Sequence, residues 1–103
     1  MVIMKKWKEM DKFEKLRTIR LTKANQQKLL DENNGFVAQT NYNSIKGSFH
    51  RSYKILDGKL IIHDTSNNTG TKKIFEKTWI ATDAEVHRFL LKYLWKLSID
   101  EIT

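Results

Sequence analysis

The chain has 103 residues, with Lys+Arg 19 against Asp+Glu 12 and a formal net charge of +7. Hydrophobic residues make up 40% and aromatics 11%, enough for one modest core and too much for a disordered chain, so a single domain over 1–103 is expected. The absence of Cys excludes disulfides and thiolate metal sites and fits a reducing, cytoplasmic setting.

The charge is uneven. Residues 1–35 hold nine Lys/Arg and five Asp/Glu, residues 36–81 seven and three, and residues 82–103 three and four. Two thirds of the chain is therefore basic, and its field attracts polyanions. No apolar run approaches the about 20 residues that cross a bilayer. The apolar start Met1–Met4 precedes its lysines, the reverse of a secretory signal. No membrane role is expected.

In chain order, Trp7, Met10, Phe13, Leu16 and Ile19 recur at three-to-four spacing and predict a helix over 4–20. Asp11 with Glu14 resembles a capping box, so residues 1–10 are alternatively a separate arm. Thr22 is a good N-cap for a helix over 23–33, and Gly35 stops it. From Phe36 the period changes to two. Phe36, Ala38, Thr40 and Tyr42 alternate with Val37, Gln39 and Asn41, and a second run covers Ser48–Leu56. Asp57-Gly58 then predicts a type I′ hairpin turn into Lys59–Asp64. That turn sets Ile55 opposite Leu60, Tyr53 opposite Ile62 and Arg51 opposite Asp64. Phe49, Arg51, Tyr53, Ile55, Leu60, Ile62 and Asp64 then share one face, and His50, Ser52, Lys54, Leu56, Lys59, Ile61 and His63 the other. Thr65–Thr71 reads as a polar loop and Lys72–Ala81 as a further strand. Thr82 with Glu85 caps a last helix whose stripe is Val86, Phe89, Leu90, Tyr93, Leu94 and Leu97. The class is α+β: N-terminal helices, a three- to four-stranded antiparallel sheet, and a C-terminal helix packed on one sheet face.

Four groups of residues are candidates for function. Lys5, Lys6, Lys8, Lys12, Lys15, Arg17, Arg20, Lys23 and Lys28 surround the first two helices, where phosphate neutralisation and ordinary solvated ion pairs with Glu9, Asp11 and Glu14 are the competing readings. On the sheet, Lys46, Lys54, Lys59, Lys72 and Lys73 with nearby aromatics suit a nucleic-acid platform if the His50/His63 face is open. Trp7, Tyr42 or Tyr53 would add stacking if exposed. His50 and His63, diagonal neighbours in the expected register, are a candidate acid–base pair for metal-independent RNA cleavage, against a reading as plain surface histidines. His87 with Asp83 lacks the further ligands a metal site needs, and no cofactor is implied. Arg51 opposite Asp64 reads as a structural ion pair. Finally, His87, Leu91 and Trp95 form a second stripe on the last helix. Contact with the N-terminal helices is the favoured reading, and a protein interface through Leu91 and Trp95 the alternative.

The order α-β-β-β-α resembles double-stranded RNA-binding domains in topology, but their Lys-Lys at the start of the last helix is absent; Lys72-Lys73 precedes a strand instead. A second resemblance rests on ENNGF at 32–36, Tyr53-x-Ile55-x-Asp57-Gly58-Lys59-Leu60-x-Ile62, Trp79-x-Ala81-x-Asp83 and His87-Arg88-Phe89-Leu90-x-Lys92-Tyr93-Leu94. This pattern is similar to small accessory proteins carried on phages and conjugative elements of AT-rich Gram-positive bacteria. Some of these are anti-CRISPR inhibitors, so the resemblance implies an inhibitor of a host defence nuclease. The net charge of +7 argues against DNA mimicry and for contact with a guide RNA or an acidic protein surface. The expectation from sequence is thus a non-enzymatic binding protein, able to form a homodimer, whose partner is RNA, DNA or a ribonucleoprotein. A small ribonuclease using His50 and His63, or a pure protein-interaction module, is the alternative.

Overall fold

Asp11, not the apolar run before it, decides where the first α-helix begins. Its Oδ1 accepts from Glu14 N at 2.8 Å, and α1 runs over Lys12–Thr18. The expected single helix over 4–20 is therefore replaced by a turn of 3-10 helix at Trp7–Glu9 followed by α1. Helix α2 covers Lys23–Glu32, capped by Thr22 Oγ1 accepting from Asn25 N. Helix α3 covers Asp83–Tyr93 and opens with the expected box, in which Thr82 Oγ1 accepts from Glu85 N and Glu85 accepts from Thr82 N. A computed structural model describes residues 6–100.

Between α2 and α3 four strands, β1 (Val37–Ser44), β2 (Gly47–Leu56), β3 (Lys59–Asn68) and β4 (Ile74–Ile80), form one antiparallel meander in the order β1-β2-β3-β4. The β2–β3 register is the one the Asp-Gly turn requires, with Ile55 opposite Leu60 and Arg51 opposite Asp64. Asp57 and Gly58 both hold positive φ, 52° and 72°. One expectation is corrected. Thr65–Asn68 is not loop but the end of β3, paired to Gly47–His50 on one side and to β4 on the other. The turn begins at Asn68, whose Oδ1 accepts from Gly70 N and Thr71 N.

The core lies at one end of this sheet. Ile55, Leu60 and Ile62 are buried beneath Leu29 and Leu30 of α2, Phe89, Leu90 and Tyr93 of α3, and Leu94, Leu97 and Ile99 after it. Phe36, Tyr53, Phe89 and Tyr93 pack ring against ring, with Phe89 and Tyr93 centroids 4.9 Å apart. The C-terminal segment is laced to the helices. Asn33 exchanges two bonds of 2.8 Å with the Ser98 backbone, and Trp7 Nε1 donates to Ile99 O at 3.0 Å.

Every buried strand residue lies within four positions of the Asp57-Gly58 turn. The residues from Gly47 to His50, about 13 Å at 3.3 Å per residue, and their partners on β1, β3 and β4 extend past the helices as a blade, and Arg51 at its root still faces α3. The molecule is accordingly long, 65 × 27 × 20 Å, with a radius of gyration of 17.4 Å against about 13 Å for a compact domain of this length. Two devices keep the blade regular. Arg51 donates twice to Asp64, at 2.7 and 2.8 Å, across β2 and β3. At the tip Thr69 donates from N and Oγ1 to Lys46 O and Ile45 O, fastening the β3–β4 loop to the β1–β2 turn. Gly47 permits this closure, since a Cβ there would lie 2.0 Å from Asn67 O. No helix among the described residues is long and apolar enough to cross a membrane.

Candidate nucleic-acid interface

Side chains alternate across a strand, so the helix-bearing face of the sheet continues onto the blade as Tyr42 and Thr40 of β1, Phe49 and Arg51 of β2, Ser66 and Asp64 of β3, and Phe75 and Lys77 of β4. At the core end this face is covered. On the blade it is open. Tyr42, Phe49, Ser66 and Phe75 form one cross-strand row, in which Tyr42, Phe49 and Phe75 are 67%, 36% and 63% exposed. Ser66 separates Phe49 from Phe75 by two strand spacings, about 10 Å. The small side chain leaves a depression of about 280 Å³ lined by the three aromatics together with Ser44, Lys46 and Ser66. One lysine, Lys46, lines it, and three more lie on the neighbouring loop and strand. Lys46 sits in the β1–β2 turn and Lys72 and Lys73 in the β3–β4 loop, while Lys77 on β4 turns its ammonium away from the row, over the Trp79 ring at 5.1 Å. Within 40–50 and 65–77 the only acidic residue is Glu76, which points to the other face and meets His63 Nε2 at 3.1 Å.

The next row towards the helices is Thr40, Arg51, Asp64 and Lys77. The Arg51 guanidinium lies 5.7 Å from the Phe49 ring centre and 5.5 Å from that of Trp79. The side-chain bond to Asp64 raises its pKa further above the usual arginine value, so it is a permanent cation.

The basic residues expected from sequence do not converge. Lys5 lies outside the described residues. Lys6, Lys8, Arg17 and Arg20 are exposed at the helical end of the molecule, with Arg17 stacked over Phe13. Lys12 Nζ donates to Leu97 O at 2.9 Å. Lys15 is buried, pairs with Asp100 at 3.1 Å and lies over the Trp7 ring. These two lysines hold the C-terminal segment in place, and Lys15 is withdrawn from any ligand. Lys54 and Lys59 flank the Asp57-Gly58 turn on the opposite, histidine-bearing face, a blade's length from Lys72 and Lys73. Of the aromatics named for stacking, Trp7 and Tyr53 are packed against the core, and Tyr42 alone is exposed. Phe49 and Phe75 were missed because period-two spacing tells which face a residue shares and not whether anything covers it.

The two strand histidines are drawn apart. His50 Nδ1 bonds Asn41 Oδ1 on β1, and His63 bonds Thr78 Oγ1 and Glu76 on β4. On α3, His87 is near Gln26 and Asp83 near Lys23, and no cluster of three metal-ligating side chains exists among the described residues. Leu91 and Trp95 are each 60% exposed, which corrects the expectation that their stripe packs under the N-terminal helices. No family model, curated protein or solved structure matches this chain.

Proposed function

We propose that this protein binds single-stranded nucleic acid on the helix-bearing face of its blade and catalyses no reaction there. The observation that carries the reading is the row Tyr42–Phe49–Ser66–Phe75, exposed and aromatic, with Lys46 at its edge and Lys72 and Lys73 in the adjoining β3–β4 loop. Every base has a π-face, so an exposed aromatic row binds unpaired bases with little sequence preference, and lysines add the phosphate term. The bases of a duplex are already stacked and offer such a row nothing. Exposed rings on a projecting sheet also lack the internal packing that would otherwise explain them. The mobile-element resemblance would make the ligand a guide RNA within a defence nuclease, whose unpaired segment has this chemistry.

The test is equilibrium binding of labelled single-stranded and duplex RNA and DNA of equal length across a salt series. Preference for single strands, with affinity falling as salt rises, is expected. Equal or stronger binding of duplexes would remove the reading. A second surface has an observation of its own. Leu91 on α3 and Trp95 in the 3-10 turn Leu94–Lys96 that follows it stand exposed, with Lys96 over the Trp95 ring at 4.9 Å. They suit a protein partner, and binding that ignores salt and is abolished by Trp95→Ala is what that role requires.

A further inference from the structure

Where the blade meets α3 there is a second depression, of about 270 Å³, with Arg51 and Tyr53 on the sheet side and Glu85, Arg88, Lys92 and Tyr93 on the helix side. Its charges are not equivalent. Glu85 keeps its negative charge, but its carboxylate is fixed by bonds from Trp79 Nε1 at 3.1 and 3.3 Å and from Thr82 N at 3.0 Å. Arg51 is occupied by Asp64. Arg88 and Lys92 are exposed and pair with no carboxylate among the described residues; Lys92 only stacks on Tyr93 at 5.4 Å. Two free cations and one paired with Asp64 therefore face a single fixed carboxylate, Glu85, across a site large enough for several waters and walled in part by tyrosine.

The site lies on the path of the stacking row. Arg51 follows Phe49 on the same face of β2, two residues or about 7 Å along, so one oligonucleotide reaches both. It is also where that path ends. The next residue on this face, Tyr53, is packed against Phe89 at 5.1 Å and Tyr93 at 5.9 Å, and beyond it the sheet is covered. A strand lying along the blade cannot continue past α3.

We propose that this depression receives the terminal phosphate of the strand bound on the blade, with Arg88 and Lys92 as its ligands and Arg51 behind them. The inference rests on the single-strand reading above. A terminal monoester carries close to two negative charges and three free oxygens, where an internal diester carries one charge and two. A site with unpaired guanidinium and ammonium groups therefore favours an end over a middle.

The experiment is competition binding with a short oligouridylate carrying a 5′-phosphate, a 3′-phosphate or hydroxyls at both ends, with uridine monophosphate as a further competitor. One phosphorylated strand is expected to bind about tenfold tighter than the hydroxyl-ended one. The double variant Arg88→Gln, Lys92→Gln, which keeps part of each stem on an exposed surface, is expected to lose that preference. A thermal melt of the variant like that of wild type would show the fold intact. Equal binding of all three strands, or a preference that survives the double variant, would overturn the inference and leave the single-strand reading standing. Uridine monophosphate binding as tightly as the phosphorylated strand would overturn it in favour of a free-nucleotide site. Failure of every strand to bind would overturn both.

Discussion

Replacing Phe75 by Ala separates stacking from charge. Phe75 is 63% exposed and touches nothing in the core, so its truncation should change stability by no more than about 0.5 kcal/mol. Stacking of a base on an aromatic ring contributes about 1–3 kcal/mol, which is about a 5- to 150-fold weakening of Kd on its loss. Because the ring carries no charge, the ratio of variant to wild-type Kd should be the same at low and high salt. The contrasting pair is Lys72→Ala with Lys73→Ala, which should weaken binding and flatten the dependence of log K on log salt by about 0.7 for each lost phosphate contact. Fluorescence anisotropy with a labelled single strand over a salt series reads both quantities. An unchanged Kd for Phe75→Ala, or a loss that disappears with added salt, would refute the stacking argument, and with it the assignment of the blade as the binding element.

Three further predictions concern what holds the blade and the core. Gly47→Ala places a Cβ on Asn67 O and should loosen the tip, lowering the melting temperature and exposing the amides of Ser44 and Asn68 to hydrogen exchange. Lys15→Ala should lower stability in chemical denaturation without altering the affinity for single strands, since Lys15 is spent on Asp100 and Trp7; a loss of affinity at unchanged stability would return it to the binding surface. Glu85 has its pKa lowered, chiefly by the bond from Thr82 N and then by that from the Trp79 indole. A carboxyl group whose folded pKa lies below its unfolded value adds stability above about pH 4.5, its ordinary value, and loses it as pH falls through the folded value. Glu85→Gln should therefore flatten the acid limb of the stability–pH curve, and a limb as steep as wild type would show that the cap carries none of it.

Much of this architecture was legible in the sequence because it depends on local chemistry. Asp57-Gly58 sets the β2–β3 register through backbone dihedrals that few other pairs adopt, and Thr82 and Glu85 satisfy the first amides of α3 from within four residues. Arg51 and Asp64 were read as a pair from that register alone. What was not legible is coverage. Helix α3 has eleven residues, about 16 Å at 1.5 Å per residue, while β2 and β3 have ten each, about 33 Å. One helix cannot cover such strands, so Phe49 shares a face with the fully buried Ile55 and yet is 36% exposed. The mismatch in length was the available signal, and it was hidden because Thr65–Asn68 has the composition of a loop. Ser66 and Asn67 are strand because pairing on both sides outweighs their weak β-propensity. Leu91 and Trp95 failed for the converse reason: an apolar i, i+4 stripe does not say that a neighbour is present.

The most direct test of the central claim is a chemical-shift map of the labelled protein titrated with a short single-stranded oligonucleotide. The account predicts that the largest changes fall on Tyr42, Phe49, Ser66 and Phe75 and on the two loops at the tip, with His50 and His63 on the opposite face and Lys6 to Arg20 at the helical end little affected. Changes centred on the histidine face or on the N-terminal helices, with the aromatic row silent, would contradict it.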